Sequence, residues 1–268
     1  MNARRITPLF LLSAGMLLMS ACRPVATAPN PRAIQIPAAM PVSLATQPPA
    51  QPSSGITLDI SAVAQNLSAD TVAVVPAGAD KSYWEAGPKY RHLTLEGYPI
   101  TGNLFKAQIF IYPVAALASA NPAMGKVAAD LQTLLKTQQA ADQMPSLPLI
   151  NSAQMLHAQL QYVDFKNGRG VRFLTQFAQG LVAVNNNELI YTFQGLTSDG
   201  KYYVAAVLPV SNPQLPTGSE VSDVQTKAQA NYPDYLSKMV TLLDQQPVES
   251  FTPDLNKLDA LIRSMEVK

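Results

Sequence analysis

The sequence is poor in the residues from which most enzyme chemistry is built. Its 268 residues include one Cys, two His and one Trp, and charged side chains make up 14% of the chain. A single Cys excludes an internal disulfide framework and any site built from several thiolates. Two His leave little room for a His-rich metal centre. With 19 basic against 18 acidic side chains, the chain lacks the cationic footprint that nucleic acid demands. No P-loop, dinucleotide fingerprint, Gly-x-Ser-x-Gly elbow, zinc helix or calcium loop is present. No cofactor or metal is therefore expected. The uninterrupted apolar runs also fall short of the roughly 20 residues that span a bilayer.

What is present is unevenly distributed. Arg4 and Arg5 precede an apolar run from Ile6 to Met19, which ends at the small residues Ser20 and Ala21 and the lone Cys22. A basic start, apolar middle and small-residue end are the pattern of a secretory signal peptide. With Met19-Ser20-Ala21-Cys22 at its end, this segment resembles that of a bacterial lipoprotein. The resemblance implies cleavage after residue 21, lipidation of Cys22 and an extracytoplasmic location in the cell envelope. Arg23 rather than Asp follows Cys22, which in that family favours the outer membrane where two membranes exist.

Residues 22–55 read as a tether. Eight of the 22 Pro fall there, among Ala, Gln, Ser and Thr, with Arg23 and Arg32 the only charges. Such a composition buries too little apolar surface to offset chain entropy, and Pro holds it extended. At about 3.1 Å per residue it reaches on the order of 90 Å. Four of the 19 basic residues (Arg4, Arg5, Arg23 and Arg32) precede residue 56, and no acidic residue does. The body, 56–268, therefore carries 15 basic against 18 acidic side chains and is mildly acidic.

The body reads as a single α+β domain. Alternation marks strands at 56–60, 71–75, 91–95 and 104–112. Asn121 and Pro122 open a helix whose apolar stripe runs from Met124 to Leu135. Hairpins are expected at 156–165 with 169–179, turning at Asn167-Gly168 as type I′, and at 189–196 with 202–210, turning at Ser198-Asp199-Gly200. A helix from Tyr232 to Leu243 follows, then one capped at Thr252-Pro253. Strands arriving as hairpins predict an antiparallel sheet with about three helices packed on it, and a three-layer sandwich is among the arrangements open to it. In layout the body resembles the α/β/α folds of the PsbP type. No motif is shared, so the layout implies no function.

Candidate chemistry is sparse. His92 and Glu96 would share a strand face two pleats apart, which is the basis for a hydrolase reading in which the carboxylate orients the ring. His157 stands without such a neighbour. Ser198 and Lys201 have Ser-x-x-Lys spacing, but Asp199-Gly200 between them marks a turn, where Lys201 would point away from Ser198. Tyr83, Trp84, Tyr90, Arg91 and His92 gather aromatic and cationic groups in one short stretch, the composition of a surface that stacks on a sugar or grips a peptide. The leading expectation is thus a non-enzymatic, lipid-anchored envelope protein whose domain binds a ligand or protein partner at that stretch. The alternative is an extracytoplasmic hydrolase at His92 and Glu96. The sequence names neither ligand nor process.

Overall fold

A computed structural model describes residues 55–78, 80–139, 141–218 and 231–268. The signal peptide expected at 1–21, Cys22, and the tether expected at 22–55 except for Gly55 lie outside the described residues.

The domain is built on one seven-stranded sheet, antiparallel at every pairing. Its strands are β2 (Asn66–Val72), β3 (Tyr90–Glu96), β4 (Gln108–Pro113), β6 (Ala158–Phe165), β7 (Gly168–Thr175), β9 (Ile190–Thr197) and β10 (Tyr202–Pro209), in the order β2-β3-β4-β10-β9-β7-β6. Two small pairings complete it. β1 (Ile56–Thr57) joins β11 (Glu266–Val267), and β5 (Ala153–Gln154) joins β8 (Phe177–Ala178). The described helices are α1 (Val114–Ala120), α2 (Pro122–Thr137), α3 (Tyr232–Asp244) and α4 (Leu255–Ser264), with a 3₁₀ turn at Val248–Ser250.

Alternation along the central strands divides the core into two layers. On β10, Val204, Ala206 and Leu208 enter one cluster, and Tyr203, Ala205 and Val207 enter the other. On β4, Ile109 and Ile111 face the first cluster, Phe110 and Tyr112 the second. Leu243 of α3 and Leu255, Leu258, Leu261 and Ile262 of α4 complete the first cluster. Leu117 of α1 and Met124, Ala128, Leu131 and Leu134 of α2 complete the second. The result is a three-layer α/β/α sandwich whose central strands are apolar on both faces, as burial on both sides requires.

Four boundaries differ from the sequence reading, each for a local reason. The first expected strand shrinks to Ile56–Thr57, because β11 offers only two partners; Leu58 and Ile60 are buried beyond it. The second strand begins five residues early, at Asn66, since an edge strand needs only Leu67 and Ala69 turned inward. The strand expected at 104–112 starts at Gln108, and Leu104 lies in a loop, 70% exposed. The first hairpin turns at Lys166-Asn167 rather than Asn167-Gly168, with Phe165 opposite Gly168. Neither residue has positive φ, so the turn is not type I′. Asn167 instead accepts from the Val267 backbone N–H at 3.0 Å and holds β11 in place.

The helices follow their signals closely. Asn121 caps α2, its side chain accepting from Ala123 N at 3.0 Å. Helix α1 was not foreseen; it begins directly after β4 without a side-chain cap. The last helix is capped by Asp254, which accepts from Asn256 N at 2.8 Å. The expected cap, Thr252, instead pairs its backbone with Ser211.

Candidate functional site

Tyr83, Trp84, Tyr90, Arg91 and His92 occupy the connection from β2 to β3 and the first turn of β3. Strand alternation separates them. Arg91 points toward the α3/α4 side, where its guanidinium lies 4.7 Å from the Tyr202 ring centroid and donates to the Lys268 carbonyl at 3.0 Å. Burial lowers its pKa from the usual arginine value. It therefore ties β3 to β10 and to the strand after α4, and it does not join the aromatic cluster.

Tyr90 and His92 point to the opposite side. Their rings form a row with two buried aromatics of β4. Tyr90 lies 4.8 Å from Tyr112, His92 lies 5.0 Å from Phe110, and the Phe110 and Tyr112 rings are nearly parallel. α1 and α2 pack chiefly on each other, and they meet the sheet at β4 (α1) and at β7 and β9 (α2). Nearer the β2 edge the sheet face is less covered: His92 is half-buried and Asp70, its partner across the strand pair, is exposed.

This setting defines the state of His92. Burial pushes its pKa below 6.5, with the Asp70 carboxylate and the Gln108 side chain pulling the other way. Nε2 is buried with no hydrogen-bond partner among the described residues. The ring is thus a half-buried imidazole whose burial favours the neutral form. No Ser or Thr hydroxyl among the described residues hydrogen-bonds to it. Glu96 shares its face but lies four residues along the strand, about 13 Å away, beyond hydrogen-bond reach. The carboxylate nearest in register is Asp70, which sequence reading did not single out because pairing across strands is not visible along the chain.

Tyr83 and Trp84 are held differently. Tyr83 is 60% exposed and meets Trp84 edge-to-face at 5.1 Å. Beneath them, Asn121 Nδ2 donates to the carbonyls of Tyr83 at 2.6 Å and Ala86 at 2.9 Å. The Asn that caps α2 therefore also pins this loop, a role its cap signal does not reveal. Glu85 accepts from Ser82 N at 2.8 Å and tightens the same loop. An exposed aromatic on a fixed backbone forms a contact surface at small entropic cost.

The remaining candidates resolve simply. Lys201 pairs with Asp199 at 3.1 Å, and Asp199 also accepts from Thr197 Oγ1 at 2.7 Å and Lys201 N at 3.0 Å. These contacts hold the Asp199 carboxyl down at about 2, the Thr197 hydroxyl being the largest cause. The segment is the turn of the β9–β10 hairpin, with Gly200 at φ +70°. His157 is half-buried just ahead of β6. Among the described residues no group of three His, Cys, Asp or Glu is placed to hold a metal ion, and no helix is long and apolar enough to cross a membrane.

Comparison with known proteins adds no assignment: no family model matches the chain, and no curated protein or solved structure matches it significantly.

Proposed function

We propose that this chain is a lipid-anchored cell-envelope protein whose extracytoplasmic α+β domain binds a ligand or protein partner without catalysing a reaction. Cys22 would carry the lipid, and residues 22–55 would link the domain to the membrane, the outer one where the source has two. The observation that carries the anchor is the sequence order of basic pair, apolar run, Ser20-Ala21-Cys22 and Pro-rich segment. Two or three acyl chains on one residue anchor a protein stably, where a single chain binds only reversibly. The observation that supports binding is the pinned, exposed Tyr83 beside Trp84, on the connection that leads into β3 and its Tyr90 and His92.

The anchor is tested by Cys22→Ala, which is expected to abolish the acyl mass and move the protein from membranes to the aqueous fraction. Membrane retention of an unacylated variant would sink this reading. Binding is tested by Trp84→Ala in pull-downs and glycan arrays, with loss of capture expected.

The hydrolase reading at His92 and Glu96 keeps one supporting observation, the Asp70 carboxylate opposite His92 in register. Turnover on a broad substrate panel that disappears in His92→Ala would favour it over the binding reading.

A further inference from the structure

One end of the sheet gathers features that the binding reading leaves unexplained. β2 ends and β3 begins there, so the Tyr83–Trp84 loop projects from it. Gly55, where the described chain enters the domain, lies at the same end. The Lys268 backbone N–H donates to its carbonyl at 2.6 Å, and a Cβ on Gly55 would sit 3.1 Å from Arg91 Nη1. The tether therefore joins the domain beside the strand that carries the aromatic loop.

That end also has the surface chemistry of a bilayer interface. Val74 and Tyr83, both on the β2–β3 connection, are 57% and 60% exposed; Leu104 and Leu181 are the other large apolar side chains exposed among the described residues. Lys81, Lys89 and Lys166 are exposed and enter no ion pair among the described residues. Asp80 and Glu85 on the same loop offset part of that charge, so the aromatic pair supplies the main attraction. Tyr and Trp prefer the headgroup region because one part of each ring system is apolar and its polar tip stays wet. Lys buries its stem while its ammonium remains in water.

We propose that the Tyr83–Trp84 end of the domain rests on the bilayer to which the chain is anchored. This rests on the lipid-anchor reading, and it assigns part of the candidate binding patch to the lipid headgroup region. A tethered domain needs little intrinsic affinity, because the tether holds the surface at high effective concentration. Asn121 presents the aromatics on a fixed backbone, so docking orders few additional groups.

Trp84 is the chain's single Trp and reports directly. The full chain, purified from membranes, is reconstituted in phosphatidylethanolamine/phosphatidylglycerol vesicles with and without lipids brominated near the headgroup. Acylation of Cys22 is measured by mass on the same sample. The expected result is emission at shorter wavelength in vesicles and quenching by the brominated lipid. Tyr83→Ser and Val74→Ser, both at exposed positions, should each weaken the quenching severalfold without loss of acylation. High salt should weaken it only modestly. An acylated chain whose Trp84 is not quenched, or whose quenching survives both substitutions, would overturn the proposal. Shielding of Trp84 from aqueous iodide without lipid quenching would overturn it too, pointing to a protein partner or a second copy. If Cys22 is unacylated, the anchor reading fails by itself; adding the same vesicles to the free chain still decides docking, with absent quenching counting against it.

Discussion

Arg172 and Asp259 form an ion pair at 3.3 Å with both side chains almost fully buried, 3% and 4% exposed. Arg172 lies on β7, Asp259 on α4, and the Tyr191 hydroxyl donates to the same carboxylate at 2.9 Å. Arg172 also donates to the Gln159 carbonyl and, at 2.8 Å, to Gln161 Oε1. The pair thus fastens the last helix to the sheet through a network with several shared members. Asp259→Ala removes the counter-charge and leaves a guanidinium buried. It is expected to cost about 3–5 kcal/mol, read as a lower urea midpoint with an unchanged slope. A loss below about 1 kcal/mol would show that Arg172 escapes to water when its partner is removed.

Asn121 serves two elements at once, and two substitutions separate its roles. Asn121→Ala loses the cap on α2 and both donations to the loop, with an expected cost of about 1–3 kcal/mol. Asn121→Asp keeps an acceptor for Ala123 N but has no amide to donate to the carbonyls of Tyr83 and Ala86. It should retain most of the cap and still free the loop. Trp84 emission would then change in both variants, while the helix is weakened mainly in the first. Unchanged emission in Asn121→Asp would mean that the loop is held by other contacts.

Much of this architecture was legible in the sequence, because the signals were local. The cap at Asn121, the stripe of α2, the Ser198–Gly200 turn and the periodicity of the last two helices each depend on neighbours within a few residues. What was not legible depends on contacts across the sheet. Arg91 looked like a neighbour of the aromatic cluster because it is adjacent along the chain, yet a period of two turns it to the other layer. Asp70 could not be paired with His92 before the β2–β3 register was known. Arg172, Tyr191 and Asp259 are spread over three elements, and nothing in their local sequence marks them as one buried network. The start of edge strand β2 is not legible either, because its polar alternation offers only Leu67 and Ala69 as apolar anchors.

Two strand glycines have a similar hidden reason. Gly170 and Gly195 face each other across β7 and β9, and the Phe193 ring lies over both. A Cβ on Gly170 would approach Phe193 Cζ and the Gln194 carbonyl oxygen at 2.4 Å. Phe193 in turn meets Phe165 edge-to-face at 5.9 Å. Gly170→Ala should therefore push the ring out of its place and cost about 1–3 kcal/mol, despite the better strand-forming side chain. Phe193→Leu in the same background is expected to relieve part of that cost. Simple additivity of the two changes, measured by a double-mutant cycle, would show that the ring and the glycine do not communicate.

His92 sets a pH dependence whose sign follows from its environment. Burial among Tyr90 and Phe110 lowers its pKa in the folded state below the unfolded value of 6.5. Well above pH 6.5 the ring is neutral in both states and contributes no pH dependence. As pH falls below that value the unfolded chain takes up the proton first, so stability declines. The decline continues until the folded-state pKa is passed and then levels off for this group. His92→Phe, which keeps a ring in the row and cannot titrate, should remove this component while leaving stability at pH 8 nearly unchanged. The check is chemical denaturation of both proteins at several pH values between 5 and 8, with the difference between them plotted against pH. A difference that stays flat would mean that Asp70 and Gln108 cancel the effect of burial, and one that favours the wild type at the acid end would mean that they outweigh it.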